Sequence, residues 1–210
     1  MVSDGLTEGT GGNISARDAQ SGLIVITPSA VDYADLSDED LAVVDTEGNL
    51  VEGKWRPSSE TPLHTVFYKR RPAIGAVVHT HAPYASVFAV CNEEIPLVVV
   101  EAALCLGAPV PLAPYRRPGT EELADIVFDT VGNGLAALLG QHGLLTVGHS
   151  LSEAYSATVG AEKSAKLVYM ARSMGSAAVE LDPDEVSELR AAYVRNYRPT
   201  ETSDEGAHRE

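Results

Sequence analysis

The stretch AIGAVVHTH, residues Ala73–His81, joins an apolar run to two histidines at its end. Its length and composition predict a strand with a buried start and a polar end. Side chains at positions i and i+2 of a strand point to the same face, with Cα atoms roughly 6.5–7 Å apart, so His79 and His81 can share one metal ion. A pair of hydrogen-bonded histidines at a strand end is the alternative interpretation.

Segments of both secondary-structure types flank this strand. Further strands are predicted at Gly22–Pro28, Leu41–Asp45, Leu97–Val100, Val110–Ala113, Ala136–Gly140 and Leu144–Val147. Helices are predicted at Ser59–Arg70, Pro83–Cys91, Thr120–Val131, Ser152–Met174 and Asp182–Tyr197. Thr46–Asn49 is predicted as a turn that returns the chain as a hairpin. Hairpins beside short crossovers favour a mixed or antiparallel sheet flanked by helices, so we predict an α/β fold in three layers.

The composition is that of a globular chain, with 210 residues of which 44% are hydrophobic. We predict one domain over residues 1–198 and expect the polar tail over residues 199–210 to be disordered. No apolar run reaches the ~18–20 residues of a membrane span and the N-terminus has no secretory signal, so we expect a cytoplasmic protein without membrane contact. The formal net charge of −15 argues against nucleic-acid binding, but not against a phosphorylated substrate in a locally positive site.

A second motif, RPSSETPLH at Arg56–His64, stands at a predicted helix start. Ser58 and Ser59 precede Glu60 where the first helical turn leaves backbone N–H groups unpaired, which makes a ready anion site. An ordinary N-cap followed by an acidic first turn explains the same residues without a function. His64, one helical turn beyond Glu60, is expected to be structural.

Two glycine-rich turns complete the candidate motifs. GQHG at Gly140–Gly143 places His142 between glycines, which allow a sharp turn and leave the imidazole free to project. A turn histidine in solvent is the alternative interpretation. TGGNIS at Thr10–Ser15 is a glycine turn that runs into a strand and resembles a phosphate-binding nest, although glycine turns are common.

The order of the motifs TGGNIS, ITPSA, PSSE, HTH, PGTEELA and HG resembles that of the class II, zinc-dependent aldolase family, whose fold adducin shares. The resemblance runs from about residue 6 to residue 162. It implies an α/β/α fold with a mainly antiparallel central sheet. It also implies a homotetramer with active sites at subunit interfaces. The helix that precedes the glycine turn in this family is almost entirely missing here.

The resemblance also implies roles residue by residue. It places zinc ligands at His79, His81 and His142. Glu60 corresponds to the catalytic acid/base, which also ligates the resting metal. The implied phosphate-binding positions are Gly12, Asn13, Ser29, Ala30, Ser58 and Ser59, and the family usually has glycine at position 30. Three histidines leave an open coordination position, as in catalytic zinc sites, and imidazole also accepts Mn²⁺ or Co²⁺ in place of Zn²⁺.

Two further candidates lie outside the shared motifs. Glu101 follows the apolar run Leu97–Val100 and is either a second acid/base that reaches the site or a carboxylate at an interface or strand end. Tyr197 in the last predicted helix corresponds loosely to the tyrosine that reaches a neighbouring subunit's site in the fuculose-phosphate enzymes.

The implied activity is metal-dependent cleavage of a small phosphorylated sugar. The substrate would be a ketose 1-phosphate, fuculose-phosphate-like or a deoxy-sugar phosphate, cleaved to dihydroxyacetone phosphate and an aldehyde through a zinc-stabilised enediolate. The aromatic residues that fuculose-phosphate enzymes carry near Val100 and Pro118 are absent from this sequence. A ribulose-phosphate 4-epimerase, which typically has Asp in place of Glu60, and a methylthioribulose-phosphate dehydratase are alternatives on the same scaffold. A non-catalytic adducin-like binding module is the alternative from another class, which the retained histidines disfavour.

Overall fold

The structure is a computed structural model that describes residues 1–196. Its strands are β1 (Asn13–Arg17), β2 (Ile24–Ile26), β3 (Ala42–Val44), β4 (Leu50–Glu52), β5 (Ala76–Thr80), β6 (Leu112–Ala113), β7 (Ala136–Leu139) and β8 (Gly143–Gly148). Its α-helices are α1 (Thr61–Arg70), α2 (Pro83–Cys91), α3 (Val100–Leu106), α4 (Glu121–Val131), α5 (Leu151–Ser173) and α6 (Pro183–Asn196).

The strands form one sheet in the order β4-β3-β2-β1-β5-β8-β7-β6. Neighbouring strands are antiparallel except for β6 and β7, which run parallel. The turn predicted at residues 46–49 connects the antiparallel strands β3 and β4. The predicted α/β fold with a mainly antiparallel sheet is confirmed, and β5, the strand of the paired histidines, lies in its interior.

Both faces of the sheet are covered by helices, which gives the predicted three layers. Leu138 and Leu144 belong to an apolar cluster with residues of α2, α3 and α5. Leu139 and Leu145, the next residues in the same strands, belong to a second cluster with residues of α1 and α4. Successive side chains of a strand point to opposite faces, so a strand covered on both sides is apolar at every position.

The prediction of a strand over Leu97–Val100 is wrong, because helix α3 begins at Val100. The residue before it, Val99, is extended, and the residue after the helix, Gly107, has a φ of 74°, the left-handed conformation of a common helix C-cap. The buried side chains of α3 lie at positions i, i+1 and i+4, which is helical spacing. Periodicity does not distinguish a short buried strand from the start of a buried helix, and this ambiguity caused the error.

The other predicted elements are found with small changes at their ends. Helix α2 has the predicted bounds, and α1, α4 and α5 differ from the prediction by one or two residues at an end. Helix α6 begins one residue later than predicted, and its predicted end lies outside the described residues. None of the helices within residues 1–196 is long and apolar enough to span a membrane. Tyr197 and the tail predicted over residues 199–210 lie outside the described residues.

We expect Leu139→Ala to lower the free energy of unfolding by about 2–5 kcal/mol, because it opens a cavity in the fully buried cluster under α1 and α4. The Leu139 side chain is 1% exposed, whereas Leu50 in strand β4 is 49% exposed. Leu50→Ala is therefore the matched control and should change stability by no more than about 0.5 kcal/mol. Urea denaturation of both variants measures the difference, and equal losses would contradict the described core.

Candidate active site

Three histidines meet at one edge of the sheet. His79 lies in β5, His81 follows the end of that strand, and His142 lies in the turn between β7 and β8. Their ring centroids are 4.7 to 5.2 Å apart. One ligand nitrogen from each ring lies within 4.8 Å of the other two. The fold therefore brings together the three predicted metal ligands, in a group that could hold one metal ion.

The backbone around His142 has conformations that let this turn lie against the end of β5. Gln141 has a φ of 55°, a left-handed conformation that few non-glycine residues adopt. A Cβ added at Gly143 would lie 2.4 Å from the carbonyl oxygen of Thr80 and 3.1 Å from the His81 ring. Any larger residue at position 143 would force β8 away from the end of β5, and with it His142 away from the other two histidines.

The fully buried His79 ring has its tautomer fixed by one hydrogen bond. Its Nδ1 lies 3.0 Å from the carbonyl oxygen of Leu144, and because a carbonyl only accepts, Nδ1 carries the proton. Nε2 therefore presents a lone pair, 3.2 Å from Oε2 of Glu60 and without a hydrogen-bond partner in residues 1–196. Two electron-rich atoms at this distance repel one another unless a cation accompanies them. The orphaned nitrogen thus fits a metal ligand.

The surroundings hold His79 and His142 in the neutral form. Burial lowers the pKa of His79 well below its usual value, and the neighbouring His142 and His81 rings lower it further. Burial also lowers the pKa of His142, and the nearby carboxylate of Glu60 opposes this shift. Neutral imidazole is the form that binds a metal ion, so the cluster is ready for a cation at neutral pH.

Glu60 occupies the N-cap position of α1, beside the histidine cluster. Its side chain is 9% exposed, and its Oε1 lies 3.6 Å from Nε2 of His142. Oε1 has no hydrogen-bond partner in the described part of the chain, whereas Oε2 accepts a 3.0 Å hydrogen bond from Nδ2 of Asn13. One carboxylate oxygen is held by the protein and the other is left free beside His142. This placement supports both roles predicted for Glu60.

The predicted phosphate-binding serines lie on two adjacent turns at the start of α1. The hydroxyl of Ser29 accepts the backbone N–H of Ser59 at 2.9 Å and donates to the carbonyl oxygen of Pro57 at 3.1 Å. The hydroxyl of Ser58 accepts the backbone N–H of Glu60 at 3.2 Å. The structure thus brings the three serines together immediately next to the predicted acid/base.

Two positions around these turns have left-handed backbone. Ala30 has a φ of 60°, so the alanine adopts the conformation that favours the glycine usual at this family position. Gly12 has a φ of 70°, and a Cβ there would lie 2.5 Å from the carbonyl oxygen of His79. Gly12 therefore packs directly on the end of β5, and Tyr33 donates a 2.8 Å hydrogen bond to its carbonyl oxygen.

Glu101 is not brought to the histidine cluster of its own chain. It lies in the first turn of α3, where its 59% exposed side chain forms a 2.7 Å ion pair with Lys163 of α5. This pairing lowers the pKa of the Glu101 carboxyl. The description as a strand-end carboxylate is wrong, because the residue is helical. A second acid/base role for Glu101 stays a prediction that these contacts do not support, and Tyr197 lies outside the described residues.

The sequence reasoning missed a buried hydrogen-bonded chain behind Glu60. Asn13 Oδ1 lies 2.5 Å from Nε2 of His64, whose Nδ1 lies 2.6 Å from the hydroxyl of Ser15. The Ser15 hydroxyl lies 2.7 Å from that of Tyr68. His64 is fully buried, and burial lowers its pKa to about 3, with a smaller contribution from His79 in the same direction.

The spacing of these residues contained the signal that could have revealed the chain. Glu60, His64 and Tyr68 are four residues apart in the sequence, which places them along one face of a helix. Asn13 and Ser15 are two residues apart in a strand, which places them on one face of the sheet. Each set is visible separately, but neither spacing indicates that the helix face and the strand face are in contact.

Comparisons with known proteins agree with this geometry. The family model described as class II aldolase and adducin N-terminal domain matches residues 1–169. A curated relative, the 5-deoxy-D-ribulose 1-phosphate aldolase of Bacillus thuringiensis serovar kurstaki, is 38% identical over 189 residues, which cover 90% of this chain and 88% of that protein. An aligned segment of this length includes Glu60 and the three histidines and covers most of the relative.

Solved structures give the same result. An L-fuculose 1-phosphate aldolase is similar with a TM-score of 0.86 and 35% identity, covering 92% of this chain and 90% of that one. The L-fuculose-1-phosphate aldolase from Thermus thermophilus has a TM-score of 0.74 and 30% identity, covering 86% of this chain and 92% of that one. With three histidines and a buried glutamate at the site that the motifs predicted, this chain belongs to the class II aldolase family and is one of its enzymes.

Proposed function

We propose that this protein is a metal-dependent aldolase that cleaves a ketose 1-phosphate to dihydroxyacetone phosphate and an aldehyde. The observation that carries the proposal is the pairing of Glu60 with His79, a buried carboxylate 3.2 Å from an unprotonated ring nitrogen. This arrangement needs a cation, and His81 and His142 are placed to share it. The aldolases named among the relatives support the same activity.

The chain's own residues account for the proton delivered at C3 and for substrate binding. Cleavage of the C3–C4 bond of a ketose 1-phosphate removes a proton from the C4 hydroxyl and adds one at C3. Glu60 has a free oxygen, Oε1, beside the cluster, so it can carry the proton at C3. The turns of Ser29 and Ser58-Ser59 would hold the phosphate and fix the carbon skeleton in place. A divalent ion held by the three histidines would polarise the substrate carbonyl and stabilise the negative charge that develops during cleavage.

The substrates named for the relatives share one half and differ in the other. Both 5-deoxy-D-ribulose 1-phosphate and L-fuculose 1-phosphate carry the phosphate on C1 beside a C2 ketone, and both end in a methyl group. They release the same three-carbon phosphate and a different aldehyde. The relative at 38% identity favours the five-carbon deoxy-sugar phosphate. The aliphatic residues Val100 and Pro118, at positions where fuculose-phosphate enzymes carry aromatic rings, favour it as well.

The remaining features follow from the same proposal. We infer that Zn²⁺ is the bound ion, with Mn²⁺ or Co²⁺ as alternatives that imidazole ligands accept. We further propose a cytoplasmic homotetramer with active sites at its subunit interfaces, acting on a small phosphorylated sugar and binding neither nucleic acid nor membranes. The net charge of −15 supports the absence of nucleic-acid binding.

The purified protein should release dihydroxyacetone phosphate from 5-deoxy-D-ribulose 1-phosphate faster than from L-fuculose 1-phosphate. Coupled reduction of the released dihydroxyacetone phosphate measures both rates, and L-ribulose 5-phosphate is included in the same panel. If neither ketose 1-phosphate releases dihydroxyacetone phosphate and L-ribulose 5-phosphate is epimerised at C4, the epimerase alternative replaces the aldolase proposal.

Metal analysis should find about one divalent ion per chain, which a strong chelator removes. His79→Ala should lose most of this metal because it removes the fully buried ligand. His149→Ala is the matched control: His149 is exposed, lies outside the cluster and bonds the backbone of Ala73, so its loss should leave the metal content unchanged. Equal metal content in both variants would contradict the metal site.

Glu60→Gln should keep the metal and the fold but reduce kcat by about 10²–10⁴-fold, the usual range for loss of a general acid/base. Ser59→Ala should raise KM with a smaller change in kcat, because it weakens an anion-binding turn and leaves the proton carrier intact. Steady-state kinetics on the same ketose 1-phosphate separates the two profiles. Near-normal kcat in Glu60→Gln would assign the proton transfer to another group.

A further inference from the structure

Five side chains form a continuous buried chain that ends at the proposed acid/base. The Tyr68 hydroxyl contacts the Ser15 hydroxyl at 2.7 Å, which contacts Nδ1 of His64 at 2.6 Å. Nε2 of His64 contacts Oδ1 of Asn13 at 2.5 Å, and Nδ2 of Asn13 donates to Oε2 of Glu60 at 3.0 Å. All five residues are at most 7% exposed. The chain passes back and forth between β1 and α1, so it ties the start of the helix to the sheet.

The carboxylate of Glu60 at one end of this hydrogen-bonded chain determines the direction of every hydrogen bond in it. A carboxylate only accepts, so the amide nitrogen of Asn13 faces Glu60 and the amide oxygen faces His64. Nε2 of His64 must then carry the imidazole proton, which leaves Nδ1 to accept from the Ser15 hydroxyl. That hydroxyl in turn accepts from Tyr68. The opposite orientation of Asn13 would place its oxygen against a carboxylate oxygen at 3.0 Å, which is repulsive.

We propose that Asn13 and His64 are positioning residues for Glu60, which rests on the proposed function of Glu60 as proton carrier. The chain fixes Oε2 at one donor and leaves Oε1 unpaired beside His142, so the carboxylate cannot rotate away from the site without breaking a buried hydrogen bond. Preorganisation of this kind matters because a misplacement of about 1 Å can cost 10²-fold in rate. The side chain of Asn13, predicted to bind phosphate, is already engaged by Glu60 and His64.

Paired variants of His64 separate positioning from packing. His64→Leu fills the space but cannot donate to Asn13, and we expect kcat to fall by about 10²-fold with little change in KM or in metal content. Glutamine carries an N–H donor at nearly the position of Nε2, so His64→Gln should recover most of the lost kcat. Thr65→Val is the control, because Thr65 is the next residue of α1, is buried, and its hydroxyl donates, among residues 1–196, only to the Pro62 carbonyl of its own helix.

Equal kcat in His64→Leu and His64→Gln would overturn the proposal, and so would a fall in kcat that is matched by an equal loss of bound metal. A rise in KM without a change in kcat would overturn it as well. The last outcome would return Asn13 to the phosphate site. If His64→Leu fails to fold, or if no ketose 1-phosphate is cleaved, a measurement without substrate tests whether His64 donates to Asn13. NMR of ¹⁵N-histidine-labelled full-length protein as purified should show His64 as the neutral tautomer with the proton on Nε2. Finding the proton on Nδ1 would refute the proposed hydrogen bond from His64 to Asn13, whatever the activity of the variants.

Discussion

The antiparallel pairing of β5 with β1 on one side and β8 on the other is the constraint on which the site depends. Because both neighbours run opposite to β5, the end of β5 meets the beginnings of β1 and β8 at one edge of the sheet. His79 is paired with Asn13 in β1 and with Leu145 in β8. The register therefore brings together the glycine turn, the paired histidines and the turn of His142.

The meeting of β1, β5 and β8 also explains why the backbone near the histidines has close contacts and positive φ angles. Gly12 and Gly143 approach the end of β5 more closely than any side chain would allow. Within residues 1–196, three non-glycine residues have positive φ, and two of them, Ala30 and Gln141, lie in turns of the site. Conformations of this kind cost roughly 1–3 kcal/mol each and persist where the surrounding structure enforces them. At Gln141 the enforcement comes from the paired strands β7 and β8, and beside Ala30 it comes from the hydrogen bonds of Ser29 to Pro57 and Ser59.

The sequence predicted those parts of the molecule that depend on local pattern. The spacing of His79 and His81 and the order of the motifs predicted the histidine cluster and the nearby Glu60, because both signals are contained in short segments. Contacts between distant segments were not accessible: Asn13 and Glu60 are separated by 47 positions. Glu101 was interpreted from the apolar run before it, and its partner Lys163 lies 62 positions later on another helix. A single sequence does not specify which helix and strand faces, distant in sequence, will be in contact in the fold.

The burial of histidines in and behind the candidate site also makes the fold sensitive to acid. Burial lowers the pKa of His64, His79 and His142 below the ordinary value of 6.5. Above pH 6.5 these groups are neutral in both the folded and the unfolded chain, and they make no pH-dependent contribution. As the pH falls below 6.5 the unfolded chain binds protons that the folded chain excludes, so stability decreases by up to about 1.4 kcal/mol per pH unit for each group. In the folded chain the same lowered pKa values keep protons off His79 and His142, so protons begin to compete with a metal ion for these nitrogens only at a lower pH than the one at which folding stability starts to fall.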